Sequence, residues 1–235
     1  MNVYLYQSWT EKELKNAYIW WYLFESYWYY TFDDQNSNQI TDFSWNNRNL
    51  TWWTMPSYTL VSGTNYAWNY TNQSSWIAQS ASYSTLGDVY TMLLWVKPTA
   101  TNSCYVNCLF WWTTWNGHQL SVIWWYNSGE FEYYEDKTWK GTVRTAMLSG
   151  ISINTRHLIW YTRNWTAIQT YWDWVSKNSV TGHDISLSLD LFLWSSDWWD
   201  RFKWQIWECI IEDKVWTTQE ISNYYNRTKS SYWIS

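Results

Sequence analysis

The feature that most constrains this chain is a succession of short runs rich in Thr, Ser, Tyr, Val and Ile, each bounded by Asn, Asp, Ser or Gly. In Ile185–Leu191, residues Ile185, Leu187, Leu189 and Leu191 alternate with polar residues and fall on one face. Period-two alternation is the mark of a strand with one buried side. Further runs of strand character are Tyr90–Val96, Gln119–Trp125, Glu130–Tyr134, His157–Tyr161, Ala167–Tyr171 and Gln205–Ile211. Many short strands separated by polar turns predict an all-β, two-sheet antiparallel sandwich rather than alternating βαβ units. A length of 235 residues suits one such sandwich.

Two stretches have helical character, and they resemble each other. Residues 10–18 begin with Thr10 and carry Glu13 three positions later; residues 217–225 begin with Thr217 and carry Glu220. Both are capping-box arrangements. Leu14 and Tyr18 in the first, and Ile221 and Tyr225 in the second, are four apart and share a helical face. Each stretch follows a strand-like run. The chain therefore reads as the closing strand and helix of a preceding similar module over 1–18, followed by one whole module over 19–235.

Charge excludes several functions. Fifteen Lys and Arg against twenty Asp and Glu leave a net charge of −5, which offers no concentrated positive surface for nucleic acid. No run of about 18 apolar residues exists to form a transmembrane helix, and the first residues lack the basic and apolar regions of a signal peptide. Cys104, Cys108 and Cys209 lack zinc or redox spacing and read as isolated thiols. His118, His157 and His183 have no nucleophile context, and His157 reads as a core or half-buried histidine. Sequons at Asn49, Asn69, Asn72, Asn164 and Asn226 are expected by chance in so Asn-, Ser- and Thr-rich a chain.

Several stretches, in order, resemble the LamG-like (concanavalin A-like) jelly-roll family of lectins and glucanase-related modules. They are residues 30–35 (YTFDDQ), 41–47 (TDFSWNN), 90–98 (YTMLLWVKP), 156–159 (RHLI), 164–174 (NWTAIQTYWDW) and 202–208 (FKWQIWE), followed by a closing strand and helix. The resemblance implies a jelly roll with a short C-terminal helix. It also implies a non-catalytic carbohydrate-binding or adhesion module of a larger secreted or cell-surface protein, with glycan or cell-surface ligands and flanking modules as partners. Jelly rolls of this kind often hold one structural Ca²⁺ between the opening loop and the closing strand. Asp33, Asp34, Asp42 and Glu208 stand where such oxygen ligands would come from, although Trp207 replaces the usual Asp.

The departures concern tryptophan. At Trp45, Trp165, Trp174, Trp194 and Trp204 the family pattern has Gly, whereas Trp95 falls where the family itself has Trp. The chain holds 27 Trp and only 7 Gly, where ordinary usage predicts roughly 16 Gly. Asn164-Trp165 and Asp173-Trp174 occupy slots suited to the Asn-Gly and Asp-Gly of type I′ hairpin turns, whose central residues need positive φ. Two readings follow. One is a Trp-rich surface that stacks on sugar rings; the other is a bacterial gene that reads UGA as glycine, translated with UGA as Trp. Gly depletion together with Trp in turns favours the second, with Trp95 as the Trp expected in the core.

The enzymatic alternative centres on residues 130–135 (EFEYYE), which resemble the Glu-x-Asp-x-x-Glu strand of retaining β-glucanases. Glu130 would be nucleophile and Glu135 general acid/base, with a bulge bringing Glu135 into the cleft. Glu132 stands where that family has Asp. A solvated strand face is the plainer reading of these glutamates, and a structural spacer in a repeat array is a third role for the chain.

Overall fold

The computed structural model describes residues 28–30, 39–40, 42–44, 49–51, 57–62, 65–69, 79–80, 88–98, 107–111, 119–122, 131–137, 141–148, 154–173, 175–183 and 204–232. These form strands β1 (Trp28–Tyr30), β2 (Gln39–Ile40), β3 (Leu50–Thr51), β4 (Ser57–Ser62), β5 (Asn65–Asn69), β6 (Gln79–Ser80), β7 (Val89–Pro98) and β8 (Asn107–Trp111). They continue with β9 (Gln119–Val122), β10 (Phe131–Lys137), β11 (Gly141–Leu148), β12 (His157–Asn164), β13 (Ala167–Trp172), β14 (Val175–Thr181) and β15 (Trp204–Glu212), and end in helix α1 (Thr218–Tyr232). The helical run near the start, the 1–18 boundary and the Ile185–Leu191 alternation lie outside the described residues.

Every pairing among these strands is antiparallel. The main sheet runs β14-β13-β12-β7-β15-β5-β4. One edge of β15 is shared, with β1 pairing at Cys209–Ile211 and β5 at Gln205–Ile206. The remaining strands form the hairpins β8–β9 and β10–β11 and the small sheet β2-β3-β6. The chain is an all-β antiparallel sandwich with one C-terminal helix.

Strands β7, β12 and β15 form the centre of the sheet, and both of their faces are buried. On one face Leu93, Trp95, Leu158, Trp160, Tyr171 and Ile210 pack with Trp216, Ile221, Tyr224 and Tyr225 of the helical segment. Trp95 stacks on Tyr225 at 5.7 Å and 13°. On the opposite face Met92, Leu94, Val96, Ile159, Tyr161, Cys209 and Ile211 are buried as well. Two-sided burial explains why residues 92–96 (MLLWV) read as a continuous apolar run while an exposed-face strand alternates. It also puts Trp160, Trp172, Trp207 and Trp216 in the interior beside the expected Trp95.

Helix α1 starts as its sequence dictates. The Thr217 backbone N–H donates to Glu220 Oε2 at 2.7 Å, and the Glu220 N–H donates to Thr217 Oγ1 at 3.2 Å. This reciprocal box fixes the helix entry. The segment leading into it is held from below by Thr91, whose hydroxyl donates to the Lys214 carbonyl and accepts the Trp216 N–H, both at 2.8 Å.

The β12–β13 hairpin differs from the expected turn by one position. Asn164 pairs with Ala167 and also with Val89, so it belongs to the strand, and the two central residues are Trp165 and Thr166. Of those two, only Trp165 has positive φ, at 57°. That is the pattern of a II′ turn, whose first central position is a glycine position, rather than of a I′ turn. At the β13–β14 turn Asp173 has φ 47°, as a type I′ turn requires of its first central residue; Trp174 lies outside the described residues.

Candidate functional site

Two of the four predicted calcium ligands, Asp42 and Glu208, lie among the described residues; Asp33 and Asp34 do not. Asp42 follows β2 and is buried. Its Oδ1 accepts the Ser44 N–H at 2.9 Å, its Oδ2 accepts the Ser44 hydroxyl at 2.8 Å, and its own N–H donates to Asn49 Oδ1 at 2.9 Å. This is an Asx-type turn, in which a short carboxylate organises the backbone two residues on. Glu208 is buried on β15 and accepts the Tyr224 hydroxyl from α1.

Cys209 links the two carboxylates. Burial pushes its thiol well above the ordinary range, and the charges of Glu208 and Asp42 push the same way. Strand alternation turns Cys209 away from the helix side that Glu208 faces. The charges of Asp42 and Glu208 both act on Cys209, and each carboxylate already accepts hydrogen bonds from the protein. Calcium takes six to eight oxygens, and among the described residues no group of three or more His, Cys, Asp or Glu is placed to hold a metal ion. The described pair does not make a cage by itself.

A second polar cluster lies at the start of β12, where Leu158 pairs with the same Trp95 that Glu208 pairs with from the other side of β7. Asp173 clamps the start of that strand: its Oδ1 accepts the Leu158 N–H, its Oδ2 meets His157 Nδ1, and its N–H donates to the Leu158 carbonyl, each at 2.9 Å. The His157 ring lies 4.4 Å from that of Trp172. Its Nε2 is buried without a hydrogen-bond partner among the described residues. His157 is thus the buried histidine expected, with Asp173 fixing its orientation. Beside it the Arg156 guanidinium lies 4.5 Å over the Trp207 ring. Burial, reinforced by Arg156, lowers the Lys97 ammonium below its ordinary range. Burial raises the Tyr225 hydroxyl, and the Asp173 charge adds to the rise.

Sequence reasoning missed the Asp173 clamp and a buried ion pair. Arg163 is 0% exposed within a strand; its Nη2 donates to the His183 carbonyl and its Nε lies 3.8 Å from Asp88 Oδ1. The available signal was a charged residue two positions after the apolar run 158–161 and still in strand register, since a buried Arg needs an acceptor. The described residues do not test the pairing of the glucanase glutamates. Glu130 lies outside the described residues, and Glu135 sits on β10 opposite Val143. The β10–β11 register does shift, but between Phe131 and Glu132, where the extra residue is Met147 on β11, and not next to Glu135.

No family model matches the chain, and no curated protein matches it. Solved structures do match in fold. The binding domain of botulinum neurotoxin serotype D aligns at TM-score 0.67 and 14% identity over 87% of this chain and 52% of that one. A botulinum neurotoxin type C structure, from work on cell entry dependent on two ganglioside molecules, aligns at 0.63 and 10% over 86% and 51%. Domain 4 of AbnA, an extracellular GH43 arabinanase from Geobacillus stearothermophilus, solved with arabinotriose, aligns at 0.64 and 17% over 85% of this chain and 97% of that domain. The chain spans about half the length of the toxin structures and nearly all of the arabinanase domain. At these identities what is shared is the fold, the β-sandwich of binding domains from larger proteins.

Proposed function

We propose that the chain is a non-catalytic carbohydrate-binding or adhesion module of a larger secreted or cell-surface protein, and that within its fold it belongs to the LamG-like group. The observation that carries this is the alignment to an arabinanase domain over 97% of that domain's length, in a structure that holds arabinotriose. A module of matching extent whose counterpart holds a sugar is a reason to look for a sugar here, although fold analogy alone names no site. Among the described residues no helix is long and apolar enough to cross a membrane. The natural partners are then glycans or a glycosylated cell surface, together with flanking modules of the same polypeptide.

The proposal includes one structural Ca²⁺ supplied by Asp33, Asp34, Asp42 and Glu208. Because Asp42 and Glu208 are already hydrogen-bonded within the protein, the weight of this part falls on the opening-loop aspartates. Screening the protein on a glycan array with calcium and again with chelator tests both parts. Retention of one glycan class supports the binding role, and its loss in chelator supports the ion. An array without any retained glycan leaves the spacer role and refutes the binding one. Release of oligosaccharide from β-glucan that disappears in Glu130→Gln would establish the enzyme instead.

A further inference from the structure

The backbone at position 165 is one that tryptophan does not choose. Trp165 is the first central residue of a two-residue hairpin, with φ 57°. In this region the Cβ of an L-residue crowds its own carbonyl, and bulky side chains are outliers there. Held backbone strain persists when the surroundings over-determine it. Here they do: the Trp165 N–H donates to the Asp88 carbonyl, and the Gly182 N–H donates to the Thr166 carbonyl, both at 2.7 Å. The turn is locked by its backbone, and the side chain contributes little to it, since Trp165 is 67% exposed. Position 165 therefore has the backbone of a glycine and lacks the burial that would reward an indole. Trp95 is the opposite case, fully buried in a central strand and stacked on Tyr225.

We infer that residue 165 of the natural protein is glycine, written as Trp because its UGA codon was decoded under the wrong table, while residue 95 is a true tryptophan. A one-codon reassignment accounts for both halves of the composition, the 27 Trp and the 7 Gly. It also bears on ligand recognition. Phe43, Trp165 and Val175 are the exposed large apolar residues among those described, so the one exposed indole of this set is withdrawn as a sugar-stacking platform. Glycan binding, if present, is carried by other residues.

The test reads the codons in the source gene and the masses of the peptides spanning residues 165 and 95 in protein isolated from the source organism. The inference expects UGA at 165, UGG at 95, and a residue-165 peptide lighter by an indolylmethyl group. A UGG codon at 165, or a peptide carrying Trp there, overturns it. A second arm uses recombinant protein carrying Trp at both positions. Trp165→Gly is expected to raise Tm and to leave any glycan retention unchanged, whereas Trp95→Gly is expected to lower Tm sharply. A lower Tm in Trp165→Gly, or loss of a glycan that the parent retains, would count against glycine at 165. Absence of glycan binding in both proteins would refute the proposed function alone and leave the codon and mass results standing.

Discussion

At the scale of single residues, the informative positions are those whose local geometry and identity disagree. Placing Trp165 at positive φ costs about 1–2 kcal/mol, while glycine's greater unfolded freedom returns about 0.5–1 kcal/mol of that. Trp165→Gly should therefore stabilise the folded protein by about 0.5–1 kcal/mol in urea unfolding with an unchanged slope; a loss of stability would mean that the indole makes a contact worth keeping. Cys209 gives a pH signature. Its folded-state thiol is held well above its ordinary value of 9.0 by burial, with the Glu208 and Asp42 charges adding to the effect. The stabilisation from a thiol kept protonated is fully present below the unfolded value and is lost as pH rises through the folded one. Stability should thus fall above about pH 9, and Cys209→Ala should flatten that limb of the profile. In a variant lacking Cys104 and Cys108, thiol alkylation at pH 8 should proceed only after denaturant is added.

At the scale of elements, the C-terminal unit was legible in detail. The Thr217–Glu220 capping box and the shared face of Ile221 and Tyr225 were readable from spacing because helix capping and helical faces depend on residues only three or four apart. The structure shows both. Thr217→Ala should cost about 1 kcal/mol, and Ile221→Ala, which empties a fully buried site under the helix, about 2–5 kcal/mol. Equilibrium unfolding of the two variants separates a surface cap from a core anchor; equal costs would show that the helix is not held by its packed face. The central strands were found within a residue or two, from Tyr90–Val96 to the observed Val89–Pro98 and from Gln205–Ile211 to Trp204–Glu212. The hairpin turn was placed one residue early because its position depends on whether Asn164 pairs, and Asn164 is held in the strand by Ala167 and by Val89 on a strand distant in sequence.

At the scale of the molecule, the sandwich was readable because strand alternation and turn chemistry are local, whereas the site was not. The Asp173 clamp on His157 and Leu158 joins residues brought together by a hairpin, and the Arg163–Asp88 pair joins strands far apart in the chain. No spacing rule announces either. The predicted carboxylates Asp42 and Glu208 do come to the same neighbourhood of Cys209, and Glu208 is already engaged by the Tyr224 hydroxyl. If calcium nevertheless binds the folded state, saturating it at about one hundred times its dissociation constant should add about 2.7 kcal/mol of stability, and Asp42→Asn should diminish that gain. An unaltered unfolding curve in calcium and in chelator would remove the ion from the account. The central claim is that the module binds sugar without cutting it. Calorimetric titration with a soluble oligosaccharide, followed by a reducing-end assay on the same sample, tests it most directly. The account predicts saturable heat with no new reducing ends; new ends that vanish in Glu130→Gln, or no heat with any glycan offered, would contradict it.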